Sequence, residues 1–142
     1  MINKEYYKAI FEIIKTGHWI TDSVSQALKE DKITEPQYNV LRILKGQKGN
    51  PITVNEIQEK MVQRSSNVTR IVDKLLDKGF VNRSECPTNR RKMDITITDL
   101  GLSELDKMNK KVEAIHLPYK DNLTAEEAKT LEILIKKLKG EN

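Results

Sequence analysis

The sequence predicts a mainly α-helical fold carrying one small β-hairpin. Three observations predict it. Apolar residues recur at spacings of three and four over most of the chain, Thr-x-x-Glu/Gln signals mark helix starts, and only the stretch around residues 80–98 alternates with period two. The 142 residues supply one ordinary domain, so the chain is read as a single unit, 1–142.

Residues 4–30 place Tyr6, Ile10, Ile13, Ile14, Trp19, Ile20, Val24, Ala27 and Leu28 at helical spacing. This predicts a long amphipathic helix, interrupted by Gly17 at a cost of about 1 kcal/mol relative to Ala. Thr34 opens a capping box with Gln37, with Pro36 tolerated in the first turn, and Tyr38, Val40, Leu41 and Leu44 form the buried face of a second helix. Residues 46–51, with two glycines and Pro51, form a loop. Thr53 and Glu56 make a second box, opening a short helix to about Met61. A turn near Val62 and Gln63 leads to a helix from Ser65 to Lys78, with Val68, Ile71, Val72, Leu75 and Leu76 inward and Gly79 as its left-handed stop. Two helices joined by a minimal turn have the form of a helix-turn-helix.

Residues 80–83 and 93–98 alternate as two strands around the polar, basic stretch Cys86–Lys92, predicting a hairpin with a longer loop. Thr98 or Asp99 caps a fifth helix through Leu102, Leu105, Met108, Val112 and Ile115 to about Leu117, and Pro118 ends it. Thr124 and Glu127 form a third box before a last helix bearing Leu131, Leu134, Ile135 and Leu138.

Composition excludes several classes. One cysteine rules out a disulfide framework and a cysteine-based zinc site. Two histidines and a single Glu113-x-x-His116 pair leave no expectation of a metal, and no cofactor is called for. No apolar run approaches the roughly 18 residues of a membrane span, and Met1–Tyr7 has no signal-peptide profile, so the expected location is the cytoplasm. Gly46 and Gly49 share the spacing of a single-strand RNA clamp, without the rest of that fold. There is no phosphate-binding glycine loop, nucleophile elbow or pair of catalytic carboxylates, so no enzyme is expected.

The net charge of +4 is unevenly distributed. Residues 60–92 hold nine basic and three acidic residues, a surplus of six, leaving the rest of the chain at minus two. Charge alone fits a solvated face. Its coincidence with a helix-turn-helix and a basic hairpin points to double-stranded DNA. The helix from Ser65 can enter the major groove, presenting Ser65, Ser66, Asn67, Thr69 and Arg70, with Arg64 just before it. Arg70 is assigned to guanine or phosphate, and Asn67 to adenine or to the helix start. Arg90 is expected to enter a narrow minor groove, with Arg91 holding the hairpin or contacting phosphate. Residues such as Tyr6, Tyr7, Ile10, Leu131, Leu134 and Leu138 exceed what so small a core needs. They imply a homodimer, against the alternative of packing within one chain.

Residues 34–44, 64–81 and 89–101 together resemble the MarR family of transcriptional regulators, and the likeness extends over nearly the whole chain. The resemblance implies a winged-helix dimer built from six helices and a hairpin wing. Residues 34–100 would form the DNA-binding lobe, and 1–30 with 101–142 the helical dimerisation region. It also implies a palindromic operator, repression and release by a small ligand. Family members bind effectors between the first, second and fifth helices, which here carry Phe11, His18, Trp19, Tyr38 and His116. The family's wing commonly reads Asp-Pro-x-Asp-Arg-Arg, whereas this chain has Cys86 and Asn89 at the two acidic positions. A wing ion pair carried over from the family is therefore missing its carboxylate. Cys86 itself, with Arg83, Arg90 and Arg91 close in sequence, is a candidate redox-sensitive thiol through depression of its pKa by basic neighbours. Two alternatives stand beside the repressor: a protein-interaction module on the same scaffold, and an activator.

Overall fold

The computed structural model describes residues 1–141. Its elements run α1 (Lys4–Leu28), α2 (Glu35–Gly46), β1 (Ile52–Thr53), α3 (Val54–Lys60), α4 (Val68–Asp77), β2 (Val81–Cys86), β3 (Asn89–Ile97), α5 (Asp99–His116) and α6 (Ala125–Leu138). Single 3-10 turns follow α1 at Lys29–Asp31 and α5 at Leu117–Tyr119.

The local signals act as their chemistry requires. Thr34 Oγ1 accepts the Gln37 N–H at 3.2 Å, and Gln37 Oε1 accepts the Thr34 N–H at 3.1 Å, closing the first capping box. Thr124 and Glu127 close another in the same reciprocal way. Thr53 caps α3 but doubles as the last residue of β1, and its hydroxyl turns to the Glu56 carboxylate at 3.1 Å. After α4, Gly79 takes a φ of +76°. Its N–H reaches Leu76 O at 2.9 Å while Phe80 N–H reaches Leu75 O at 3.0 Å, the paired bonds of a Schellman stop.

The core lies where α2, α3, α4, β3 and α5 meet the end of α1. Leu28, Leu41, Ile57, Leu75, Ile95 and Leu105 are fully enclosed there. The three strands form one antiparallel sheet in the order β1-β3-β2, with Ile52 opposite Ile95 and Val81 opposite Ile97. Gly101 lets α5 press onto this unit, because a Cβ there would stand 2.2 Å from the Phe80 carbonyl oxygen.

Three local expectations need correction. The helix expected from Ser65 begins at Val68, because Asn67 Oδ1 takes the Arg70 N–H at 3.1 Å and the Ser66 carbonyl is taken by Gln58 Nε2 at 2.8 Å. Residues 61–67 therefore form a seven-residue connection, with a turn closed by Ser66 N–H to Gln63 O at 3.1 Å, in place of a minimal turn. The hairpin has no long loop: its strands continue through the basic residues and turn at Pro87 and Thr88 alone. The sheet also gains β1, where the sequence predicts only a helix cap; two residues are too few to show a period.

Helix α6 buries none of its residues, and α1 buries only Val24 and Leu28 at its C-terminal end. Tyr6, Tyr7, Phe11, Ile14, Leu131 and Leu134 are all exposed. Packing within one chain does not cover them.

Candidate nucleic-acid interface

One side of α4 is apolar and enclosed, with Val68, Val72 and Leu75 in the core. That anchoring turns Asn67, Thr69 and Arg70 outward at its N-terminal end, and all three are exposed. Arg64 and Ser65 are exposed on the connection before it, and Ser66 is half-buried, its N–H donating to Gln63 O at 3.1 Å. The Asn67 oxygen already accepts from Arg70. A paired contact with adenine needs that oxygen together with the amide N–H, so the geometry favours the capping role of Asn67.

The connection is held from two sides. Asn39 on α2 accepts the Val62 N–H through Oδ1 at 2.9 Å, and Gln58 on α3 donates through Nε2 to the carbonyls of Arg64 and Ser66. A cavity of about 520 Å³ lies beside it, lined by Thr34, Pro36, Gln37, Ser66, Asn67, Arg70, Ile71 and Lys74.

In the hairpin, Glu85 pairs with Met93 while the next residue, Cys86, pairs with Asn89. Arg90, Arg91 and Lys92 are therefore bulged out of β3, with all three exposed. Asn89 Oδ1 accepts the Arg91 N–H at 3.0 Å, so the amide shapes the tip without carrying charge. Arg83 Nη1 donates to Asp73 Oδ1 at 2.7 Å, tying β2 to α4. Among the described residues, Arg64, Arg70, Arg90, Arg91 and Lys92 form no ion pair. The surface thus offers two groups of free cations, on the α4 side and on the hairpin.

The Cys86 thiol is half-buried, with Sγ 3.3 Å from Thr88 Oγ1. Its pKa is held below the usual thiol value by hydrogen bonds to the Thr88 side chain and main chain and to the Asn89 main chain, against partial burial and, more weakly, the Asp94 carboxylate. The neighbouring arginines are not the cause, which corrects the sequence-based attribution.

The five residues proposed for an effector pocket are not gathered in one place. Tyr38 and His116 share a cleft of about 650 Å³ with Arg42, Lys45, Asn109 and Glu113. The Tyr38 phenol donates to Asn109 Oδ1 at 2.6 Å, and burial pushes its pKa up, with Arg42 opposing. Trp19 lines a different hollow of about 510 Å³ with Asp22 and Ile115, and stacks edge-on against Tyr119 at 5.3 Å between ring centroids. Phe11 and His18 are exposed on α1 and line neither. Among the described residues no group of His, Cys, Asp and Glu is placed to hold a metal, and no helix is long and apolar enough to cross a membrane.

Sequence reasoning missed Asn39, Gln58 and the Asp73–Arg83 pair as positioning groups. Their partners lie six to 23 residues away and on other elements or connections, so the period within one helix or strand does not reveal them.

Comparison with known proteins places this surface in context. The MarR family model matches residues 33–93. The multiple antibiotic resistance protein MarR of Escherichia coli strain K12 is 30% identical over 135 residues, which cover 89% of this chain and 92% of that one. The transcriptional repressor MdtR of Bacillus subtilis strain 168 is 31% identical, over 76% of this chain and 68% of its own. A crystal structure of a cysteine-to-serine mutant of Escherichia coli MarR complexed with operator DNA superposes with a TM-score of 0.78 at 27% identity, covering 94% of this chain and 95% of that one. The chain belongs to the MarR family of winged-helix transcriptional regulators.

Proposed function

We propose that this protein is a repressor that binds a palindromic operator in double-stranded DNA as a homodimer. The observation that carries the reading is the pairing of two cation groups on one lobe. Arg64 and Arg70 stand at the start of an anchored helix, and Arg90 and Arg91 are bulged from a hairpin tied to that helix through Arg83. The first group is suited to the major groove, with Ser65, Ser66, Asn67 and Thr69 beside it. The second suits the flanking minor groove, where a narrow groove concentrates negative potential. Operator DNA bound to Escherichia coli MarR supports the DNA partner, and the name of MdtR supports repression.

Residues 34–100 serve as the DNA-binding lobe, and 1–30 with 101–142 as the dimerisation region. The reading is supported by the uncovered apolar faces of α1 and α6, which a second copy would bury, giving a two-fold axis to match a palindrome. A small effector fits the cleft of Tyr38 and His116, at the junction of α2 and α5. The protein acts in the cytoplasm, where its DNA lies.

Selection of genomic fragments by the purified protein, followed by a salt titration on the tightest, tests the proposal. A palindromic site with a steep fall of affinity with salt is expected. Binding without sequence preference would overturn the operator reading.

A further inference from the structure

We propose that Gln58 is a positioning residue for DNA recognition: it fixes the connection 61–67 so that Arg64 reaches the DNA from a preformed backbone. The proposal rests on the DNA-binding reading above and goes beyond it, because Gln58 itself is not expected to touch DNA.

The geometry is specific. A primary amide nitrogen carries two N–H groups. Gln58 Nε2 spends them on two main-chain carbonyls, those of Arg64 and Ser66, which flank Ser65. These carbonyls precede α4 and have no helix ladder of their own to join. Gln58 is half-buried on α3, whose Ile57 is fully enclosed, so the amide is delivered from a rigid element. Asn39 fixes the other end of the same stretch by accepting the Val62 N–H at 2.9 Å. With its main chain pinned, the connection leaves the Arg64 and Ser65 side chains exposed. Ordering it before DNA arrives removes an entropic cost from binding.

The coupling is local, which makes it testable. Gln58→Met keeps the length and helix preference of the side chain and removes both donors. Affinities are measured for the selected genomic fragment with wild type, Gln58→Met, Arg64→Ala, Arg90→Ala and the two double variants, at a temperature where melting curves show all of them folded. Gln58→Met is expected to weaken binding roughly tenfold, and Arg64→Ala to lose most of its effect in that background. Arg90→Ala should keep its full effect there, because the hairpin does not depend on Gln58. If Gln58→Met does not fold, Gln58→Glu replaces it in the same cycle; it also lacks the donors.

Unchanged binding by the Gln58 variant, an undiminished Arg64→Ala effect, or a parallel loss of the Arg90→Ala effect would each overturn the proposal. A wild-type protein that selects no fragment would instead bring down the DNA-binding reading, and the proposal with it.

Discussion

Asp73 on α4 and Arg83 on β2 are joined at 2.7 Å, ten residues apart in sequence, and this is the one ion pair between the helix carrying the proposed major-groove residues and the hairpin. Both side chains are partly exposed, so the pair adds less than about 1 kcal/mol to stability. On the proposed reading, the pair sets the angle between the two groups of cations. Arg83→Ala should therefore change the melting temperature little while lowering DNA affinity by roughly tenfold. Melting curves and fragment binding on one preparation check this; an equal loss in both would reduce the pair to a stabilising contact.

Arg90 stands in the bulge between Asn89 and Met93, with no anionic partner among the described residues. Arg90→Ala should weaken binding and reduce the slope of log affinity against log salt by about one. An unchanged slope and affinity would remove Arg90 from the interface.

Leu131 and Leu134 are exposed on a helix that contributes nothing to the core. The double variant Leu131→Glu, Leu134→Glu should keep the lobe folded, halve the mass seen by light scattering, and cost about a hundredfold or more in operator affinity by separating the two half-sites. A variant that stays dimeric would place the interface elsewhere.

At Gly101 the nearest obstacle is main chain: the Phe80 oxygen would lie 2.2 Å from an added Cβ. The same oxygen accepts the Thr98 N–H at 3.0 Å, so it cannot move freely. Gly101→Ala is expected to destabilise the protein by about 3 kcal/mol, read by denaturant unfolding. Gly17→Ala, whose Cβ meets nothing within 4 Å, supplies the contrasting control.

Hydrogen bonds from the Thr124 main chain and side chain hold the Glu127 carboxyl below its ordinary value of 4.5. A group depressed in the folded state contributes stability that is present above its unfolded value and lost as pH falls through the folded one. Glu127→Ala should thus lower the melting temperature at neutral pH, with the difference narrowing as the solution is acidified below 4.5. A constant difference across that range would contradict the role of the charge.

Much of the fold was legible because its signals are short-range. Thr34, Thr98 and Thr124 cap helices through groups three residues away, and Gly79 stops α4 through its own backbone. Amphipathic spacing found all six α-helices, and the local excess of cations marked the surface proposed to face DNA. The start of α4 departs from the expected Ser65 because Asn67 caps the helix and Gln58, from another helix, takes the Ser66 carbonyl.

The sequence by itself therefore determined the class of fold, the order of helices and the hairpin, since each depends on neighbours within a few residues, and the family, through three segments taken together. Only the tertiary structure decided which carbonyls Gln58 would hold, that Asp73 would meet Arg83, that Tyr38 would reach Asn109 across 71 residues, and that Trp19 would part from Tyr38 into another hollow. These contacts form when packed helices bring distant side chains within hydrogen-bond reach. Nothing in the spacing of residues along the chain encodes that proximity.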